Sequence, residues 1–254
     1  MKFGLIGHPI AHSLSPYVFK AGYNGLYPYD LIETPDFEEA YSIFMRDYDG
    51  INVTAPFKEL ALQKAEIISE ECKLIRATNL LVKTPEGIKA YNSDYRGVKV
   101  LLSEISDDPK EATVLIVGLG GAGKATVAAA QTLGYKTILM NRTQYSPEVK
   151  PLSEFRNEFR NADVIIYNLP VRIPEIDLLT VEDFGYGHAK IILEANYRNP
   201  SFDDGFMQRM HDANPHARYI HGREWLLQQA VTGYEIFTGD TPDFEAMKAV
   251  IKSK

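Results

Sequence analysis

A glycine-rich turn that joins an apolar strand to a helix constrains the fold of this chain more than any other feature. The stretch TVLIVGLGGAGKATVAAAQTLG predicts a strand, a turn and an alanine-rich helix, and the turn comprises Gly118, Leu119, Gly120, Gly121, Ala122 and Gly123. Glycines let backbone N–H groups approach a pyrophosphate at a helix N-terminus, and a second strand, KTILMN, follows as a dinucleotide-binding unit requires. The alternative is a tight strand-to-helix turn that binds nothing.

The residues that follow this second strand predict which dinucleotide is bound. Folds that prefer NAD usually place an acid here to hold the ribose hydroxyls, whereas this chain has Asn141, Arg142 and Thr143. A guanidinium and two hydrogen-bonding side chains suit a 2′-phosphate, so the sequence favours NADP(H) as the cofactor. In the alternative interpretation, Arg142 is an ordinary surface arginine.

Strand-like runs alternate with helical patterns along all 254 residues. Such alternation predicts an α/β protein with largely parallel sheets, and the length suits two domains. The polar segment SDDPKEA, residues 106–112, separates one α/β unit from a second unit that opens with the glycine-rich turn. Two helices are predicted near the C-terminus, GREWLLQQAVTGYEIF and TPDFEAMKAVI, and Thr241 is the expected N-cap of the second.

Charge and cysteine content narrow the class of partner. A net charge of −7 argues against non-specific binding to nucleic acid or to an anionic membrane, and no apolar run approaches the length of a membrane span. The single cysteine, Cys72, excludes an intramolecular disulfide and fits a reducing compartment, so we expect a cytoplasmic monomer or homodimer. The loop histidines His8 and His12 lack the spacing of metal ligands, and no metal site is predicted.

Lys58 stands where helix stability alone would not place a lysine. In INVTAPFKEL the pattern after Pro56 predicts a helix that continues to Ile68, which puts Lys58 in the first turn. The helix dipole disfavours a cation at that end. Breaks of a local rule are expected at functional sites, so Lys58 is a candidate for chemistry. The alternative is a solvated surface lysine.

Other polar residues lie at the ends of predicted strands. In HPIAHSLSP an extended loop could aim the hydroxyls of Ser13 and Ser15 the same way, or Ser15 could cap a helix. Asn79 in ATNLL needs a hydrogen-bond partner if it is buried, and otherwise belongs to a turn. Asp94 in AYNSDYRG precedes a helix, where it is either a functional acid or only an N-cap.

Together these motifs resemble the shikimate dehydrogenase family over nearly the full chain. In their order here, the motifs are SLSP, NVTAPFK, ATN, YNSDYRG, GLGGAG, NRT and WLLQQA. The resemblance implies an α/β substrate-binding catalytic domain over 1–98, a doubly wound Rossmann-type domain that binds NADP over 99–222, and helices over 223–254 that return to the first domain. It also implies NADPH-dependent reduction of the small molecule 3-dehydroshikimate to shikimate, in chorismate and aromatic amino-acid biosynthesis.

The resemblance also assigns roles to individual residues. It implies that Lys58 and Asp94 form the catalytic pair and that Ser13 and Ser15 bind the substrate carboxylate. The remaining assignments to the substrate are Thr54, Asn79, Tyr197 and Gln229. The cofactor would contact Gly118, Gly120, Gly121, Ala122 and Gly123, with Asn141, Arg142 and Thr143 around the adenosine phosphate.

The chain departs from the family at several positions, and two other functions stay open. It reads Tyr167-Asn168-Leu169-Pro170 where the family tends to have Asn-Ala-Thr-Pro, LEAN where an Asp is usual, and Trp225-Leu226 in place of Met-Leu. One alternative is a quinate/shikimate dehydrogenase that uses NAD(P). The other is a non-catalytic Rossmann metabolite sensor, against which an intact Lys58 and Asp94 argue.

Overall fold

The computed structural model describes residues 1–185 and 189–253. The chain forms two compact units. Unit 1 comprises Met1–Val98 together with the residues from Leu226 onward, and unit 2 comprises Lys99–Trp225. In the described part of the chain, no helix combines the length and the apolar character needed to cross a membrane.

The secondary structure alternates between strands and helices, as the sequence predicts for an α/β protein. The elements in chain order are β1 Phe3–Gly7, α1 Ser15–Gly22, β2 Tyr29–Glu33, α2 Phe37–Asp47, β3 Gly50–Val53, α3 Lys58–Gln63, β4 Ile67–Ile68, α4 Glu70–Ile75, β5 Leu80–Thr84, β6 Gly87–Tyr91, α5 Ser93–Ser103, β7 Thr113–Val117, α6 Gly121–Leu133, β8 Lys136–Met140, β9 Val149–Lys150, α7 Phe155–Asn161, β10 Val164–Tyr167, β11 Ile191–Glu194, α8 Asp204–Ala213, β12 Arg218–Ile220, α9 Gly222–Thr238 and α10 Phe244–Ser253. Short 3₁₀ turns lie at Leu152–Glu154, Pro174–Leu178 and Val181–Phe184.

The sheet of unit 1 is mixed, with strand order β2-β1-β3-β5-β6-β4. Strand β1 pairs in parallel with β2 and β3, whereas β5 is antiparallel to both β3 and β6. The expectation of a largely parallel arrangement did not anticipate the β5–β6 hairpin. Only Pro85 and Glu86 separate these two strands, and a connection of two residues permits antiparallel pairing alone.

The sheet of unit 2 is parallel throughout, with strand order β12-β11-β10-β7-β8-β9. Its central strands β7, β10 and β11 are almost wholly buried, as expected for a sheet with helices on both faces. The chain runs outward from β7 to β8 and β9 on one side and continues through β10, β11 and β12 on the other. The prediction of a doubly wound domain is therefore confirmed, with a topological switch point between β7 and β10.

Two local predictions were wrong. The helix that starts at Lys58 ends at Gln63, because Ile67 and Ile68 form β4 and pair with β6. The last helix is capped by Asp243 rather than Thr241, since Asp243 Oδ1 accepts a hydrogen bond from the N–H of Ala246 at 3.0 Å. In both places the short-range pattern was right about the helix, and tertiary pairing or a better cap decided its end.

Lys190 is a buried cation in unit 2 and lies at the C-terminal end of α7. Its Nζ donates to the carbonyl oxygens of Phe159 at 2.7 Å and Ala162 at 2.6 Å, and only 5% of the residue is exposed. A cation is favourable at a helix C-terminus. Burial nevertheless lowers the pKa of Lys190 to about 8, against the opposing influence of Asp163 and Asp183.

We expect Lys190 to make stability depend on pH in the alkaline range. The folded chain releases this proton near pH 8, whereas the ordinary pKa of a lysine is 10.5. Stability rises with pH where the unfolded state binds more protons, so the wild type should gain up to about 3 kcal/mol relative to Lys190→Met between pH 7 and 10.5. Denaturant unfolding of both proteins at several pH values measures this difference. A difference that stays constant with pH would show that Lys190 keeps its proton in the folded state.

Candidate functional site

The sheet of unit 1 brings residues from distant parts of the sequence to one edge. Strands β1, β3 and β6 point the same way, because β3 is parallel to β1 and two antiparallel steps through β5 restore the direction at β6. Their carboxyl ends therefore meet the amino end of β5 at the same edge. The predicted residues at this edge are Ser13 and Ser15 after β1, Thr54 and Lys58 after β3, Asn79 before β5, and Asp94 after β6.

Lys58 and Asp94 form an ion pair at this edge. Nζ of Lys58 donates a hydrogen bond to Oδ2 of Asp94, and the two side chains are only 19% and 10% exposed. Lys58 is the first residue of α3, as predicted, and α3 has no side-chain cap. Asp94 lies in the first turn of α5, where the dipole favours a carboxylate. The carboxylate thus offsets the unfavourable position of the ammonium.

The cap of α5 is Asn92, which separates the role of Asp94 from that of a helix cap. Asn92 Oδ1 accepts the N–H of Tyr95 at 3.0 Å, and Asn92 Nδ2 donates to the carbonyl of Ala77 at 3.2 Å. The alternative in which Asp94 serves only as an N-cap is therefore wrong. Its side chain lies against Lys58 instead.

Asn79 anchors the start of α5 beside the ion pair. Its Oδ1 accepts the N–H of Ser93 at 2.7 Å, and its Nδ2 donates to Ser93 Oγ at 3.0 Å. The backbone oxygen of Asn79 accepts from Nδ2 of Asn52 at 3.3 Å, and Asn52 Oδ1 accepts the hydroxyl of Tyr29 at 2.8 Å. Sequence reasoning did not select Asn52 or Tyr29. A polar side chain within the otherwise apolar strand β3 was the available signal.

Ser13 and Ser15 lie together, and neither acts as a side-chain cap. The hydroxyl of Ser13 donates to Ser15 Oγ at 3.1 Å, and Ser13 Oγ accepts the N–H of Ser15 at 3.2 Å. Helix α1 begins at Ser15 after Leu14, without a side-chain cap. The buried hydroxyl of Tyr234, whose pKa is raised by burial, donates to the carbonyl of Ser15 at 3.3 Å.

Thr54 and Gln229 are half-buried and lie next to the same elements. The N–H of Thr54 donates to the carbonyl of Ile6 at 3.0 Å, which ties the end of β3 to β1. Helix α9 passes close to α5, because a Cβ on Gly97 would lie 2.6 Å from the backbone nitrogen of Gln229. Gly97 is one turn beyond Asp94, so this close approach places Gln229 beside the helix that carries the acid.

The glycine-rich turn of unit 2 connects β7 to α6 as predicted. Gly118 has φ +87°, in the left-handed region that favours glycine. A Cβ on Gly123 would lie 1.9 Å from the carbonyl oxygen of Gly118, so the helix can approach the strand only without a side chain at this position. Gly120, in contrast, faces open space, and no acid lies in the first turn of α6. An exposed backbone at a helix N-terminus is suited to an anionic group.

The three residues after β8 differ in how they are held. Asn141 Oδ1 accepts the N–H of Leu119 at 3.3 Å, and its Nδ2 donates to the carbonyl of Thr143 at 3.1 Å, so its amide supports the glycine-rich turn. Arg142 and Thr143 are exposed. Arg142 forms no ion pair with a residue in 1–185 or 189–253, which leaves its guanidinium available to a ligand.

Tyr197 lies in unit 2, in the turn that follows β11, and is half-buried. The guanidinium of Arg198 is 5.7 Å from the centre of its ring. Buried Glu194 holds this turn, since its carboxylate accepts the N–H of Ser201 at 2.6 Å and the hydroxyl of Tyr219 at 3.0 Å. The glutamate of the LEAN segment thus has a structural role in shaping the loop that carries Tyr197.

Two protein-family profiles match the chain. Residues 5–81 match the shikimate dehydrogenase substrate binding domain. Residues 78–186 match the D-isomer specific 2-hydroxyacid dehydrogenase, NAD binding domain. The first match contains the strand ends that carry Ser13, Ser15, Thr54, Lys58 and Asn79, and the second contains the glycine-rich turn.

Curated relatives and solved structures agree with these matches. A shikimate dehydrogenase (NADP(+)) from Caldanaerobacter subterraneus subsp. tengcongensis is 28% identical over 262 residues, which are 94% of this chain and 91% of the relative. A shikimate dehydrogenase (NADP(+)) from Caldicellulosiruptor saccharolyticus is 35% identical over 158 residues, and this match spans 58% of this chain and 56% of the relative. The structure of shikimate 5-dehydrogenase from Thermus thermophilus, in complex with NADP(H) and shikimate, has the same fold, with a TM-score of 0.82, 24% identity and coverage of 100% and 99% of the two chains.

We expect the two central glycines of the turn to respond differently to alanine. Gly123→Ala should lower the free energy of unfolding by about 1–3 kcal/mol, because the new methyl group overlaps the carbonyl of Gly118. Gly120→Ala should change it by less than about 0.5 kcal/mol, because φ is −70° there and no atom lies within 4 Å of the new methyl group. Denaturant unfolding of both variants tests the pair. Equal losses of stability would contradict the close approach of α6 to β7.

Proposed function

The chain belongs to the shikimate dehydrogenase family, and we propose that it reduces 3-dehydroshikimate to shikimate with NADPH. One observation carries the proposed chemistry: a half-buried Lys58–Asp94 ion pair lies at the sheet edge to which Ser13, Ser15 and Asn79 also belong. An ammonium fixed by a carboxylate, next to neutral hydrogen-bonding groups, is suited to a polar substrate that accepts a proton.

The residues of unit 2 fit a phosphorylated dinucleotide. The backbone around Gly120 is open, the helix behind it begins without an acid, and Gly123 lets that helix approach β7 closely. These features suit a pyrophosphate at the N-terminus of α6. We propose that Arg142 and Thr143 contact the 2′-phosphate of NADP, while Asn141 acts mainly by holding the loop and the glycine-rich turn together.

We propose that Lys58 is the proton donor. NADPH, when bound, supplies a hydride to the ketone carbon, so the protein has to supply a proton to the ketone oxygen. Nζ of Lys58 can give this proton directly or through a water, and its positive charge stabilises the negative charge that develops on the oxygen. Asp94 orients the ammonium. The 19% exposure of the Lys58 side chain gives solvent a route by which the proton can be restored.

The substrate carboxylate is assigned to Ser13 and Ser15. Their hydroxyls are within 3.1 Å of each other, so both can donate to the same anion after a rotation of each O–H bond. Asn79, Thr54 and Gln229 are assigned to the hydroxyls and orientation of the ring, and Tyr197 to the substrate as well. The amide of Asn79 already bonds Ser93, so its contribution includes holding the start of α5 in place.

We expect Lys58→Ala to reduce kcat by about 10²–10⁴, the usual range for a general acid–base group, with little change in KM. Lys64→Ala is the matched control. Lys64 follows the same helix α3 at its other end, pairs with exposed Glu38, and should leave kcat unchanged. Steady-state oxidation of NADPH with 3-dehydroshikimate measures both. Near-normal turnover of Lys58→Ala would remove Lys58 from the mechanism.

We expect Arg142 to set the preference between NADP⁺ and NAD⁺. Loss of a charge-assisted contact of roughly 1.5–3 kcal/mol predicts a 10- to 150-fold decrease in kcat/KM with NADP⁺ for Arg142→Ala. Arg142→Asp should go further and shift the preference toward NAD⁺, because its carboxylate repels the phosphate. Lys136→Ala, at the amino end of the same strand β8, is the control and should leave the NADP⁺/NAD⁺ ratio unchanged. A ratio unmoved by either Arg142 change would make this residue an ordinary surface arginine.

A further inference from the structure

Asn168 carries an unpaired polar group beside the glycine-rich turn. It follows β10 directly, and its N–H donates to the carbonyl of Val117, the last residue of β7, at 2.8 Å. Its side-chain oxygen lies 3.3 Å from Thr126 Oγ. Its Nδ2 is buried and has no hydrogen-bond partner in the described part of the chain.

The amide nitrogen of Asn168 lies next to the first turn of α6. A Cβ built on Gly123 would be 3.8 Å from Asn168 Nδ2, and one built on Gly118 would be 2.8 Å from the side chain of Leu169. The end of β10 therefore packs closely against the turn. An unmade hydrogen bond of a buried donor destabilises the folded state, and such a group in a native protein calls for a partner that the chain itself does not provide.

The strand order indicates which part of a dinucleotide would reach this nitrogen. Strands β8 and β10 flank β7 on opposite sides, and the switch point where ligands bind lies between β7 and β10. Arg142 follows β8, so in the proposed function the adenosine phosphate lies on that side. The pyrophosphate then lies over the turn after β7, and the nicotinamide half lies on the side of β10, where Asn168 is.

We propose that Asn168 is a positioning residue for the cofactor, donating from Nδ2 to an oxygen on the nicotinamide side of the pyrophosphate. This inference rests on the proposed function. The chain has Asn168 where the resembling family tends to have alanine, so the contact belongs to this chain's own sequence. The rest of the amide already has its environment, with Thr126 beside the oxygen and the main chain bonded to β7.

The test compares two ligands by calorimetry: NADP⁺ and adenosine 2′,5′-bisphosphate, which lacks the nicotinamide half. Asn168→Ala should raise the Kd for NADP⁺ about 10-fold and leave the Kd for the bisphosphate unchanged. Asn168→Asp keeps the size of the side chain and should raise the Kd for NADP⁺ further, because a carboxylate repels the pyrophosphate. The melting temperature of each apoprotein should stay within about 2 °C of the wild type, since no protein contact of Nδ2 is lost.

The outcomes separate this inference from the proposed function. Asn161→Ala, an exposed asparagine at the end of α7 in the same unit, is the control and should change neither Kd. If the wild type binds NADP⁺ and reduces 3-dehydroshikimate but Asn168→Ala binds NADP⁺ equally well, the inference is wrong and the proposed function stands. Equal weakening of both ligands would also overturn it, because a disturbed turn explains that result. A wild type that neither binds NADP⁺ nor reduces the substrate overturns both.

Discussion

The ion pair between Lys58 and Asp94 is the interaction on which the unit 1 site depends. Two charges that are less than one-fifth exposed lose much of their hydration, and each is tolerated only because the other lies against it. The pair joins segments 36 residues apart and fixes α3 relative to α5. Asn92 caps α5 and Asn79 binds Ser93, so the backbone that carries Asp94 is held by neutral groups rather than by the carboxylate itself.

Much of the fold followed from patterns of short range. The apolar runs predicted most strands, and the glycine-rich turn predicted the doubly wound unit, because both signals lie within a few adjacent residues. The β5–β6 hairpin was not anticipated: GIKAY is a short run whose strand character comes from pairing with Leu80–Thr84. The end of α3 was also misplaced, since Ile67 and Ile68 satisfy a helical period and yet pair with β6. Pairing partners of this kind are not visible in a local window.

The candidate site was predictable in part for the same reason. Lys58 was conspicuous because a cation at a helix N-terminus breaks a local rule, and Arg142 because it stands where an acid is usual. Asn52 and Tyr29 gave no such signal. Their importance comes from a hydrogen-bond chain that crosses β2, β3 and the start of β5, and such a chain exists only once the strands are paired. The unpaired nitrogen of Asn168 likewise becomes evident only when its surroundings are known.

The two charges of the ion pair do not depend on each other equally. Asp94 lies in the first turn of α5, whose dipole favours its charge, and it would retain that support without Lys58. Lys58 begins α3, whose dipole opposes its charge, and Asp94 is the group that offsets this cost. A residue that needed only to stabilise the fold would gain nothing from this asymmetry. An acid that must release a proton does gain, because the ammonium is held in place by its partner while its own helix disfavours the charge, and both effects act on the same nitrogen.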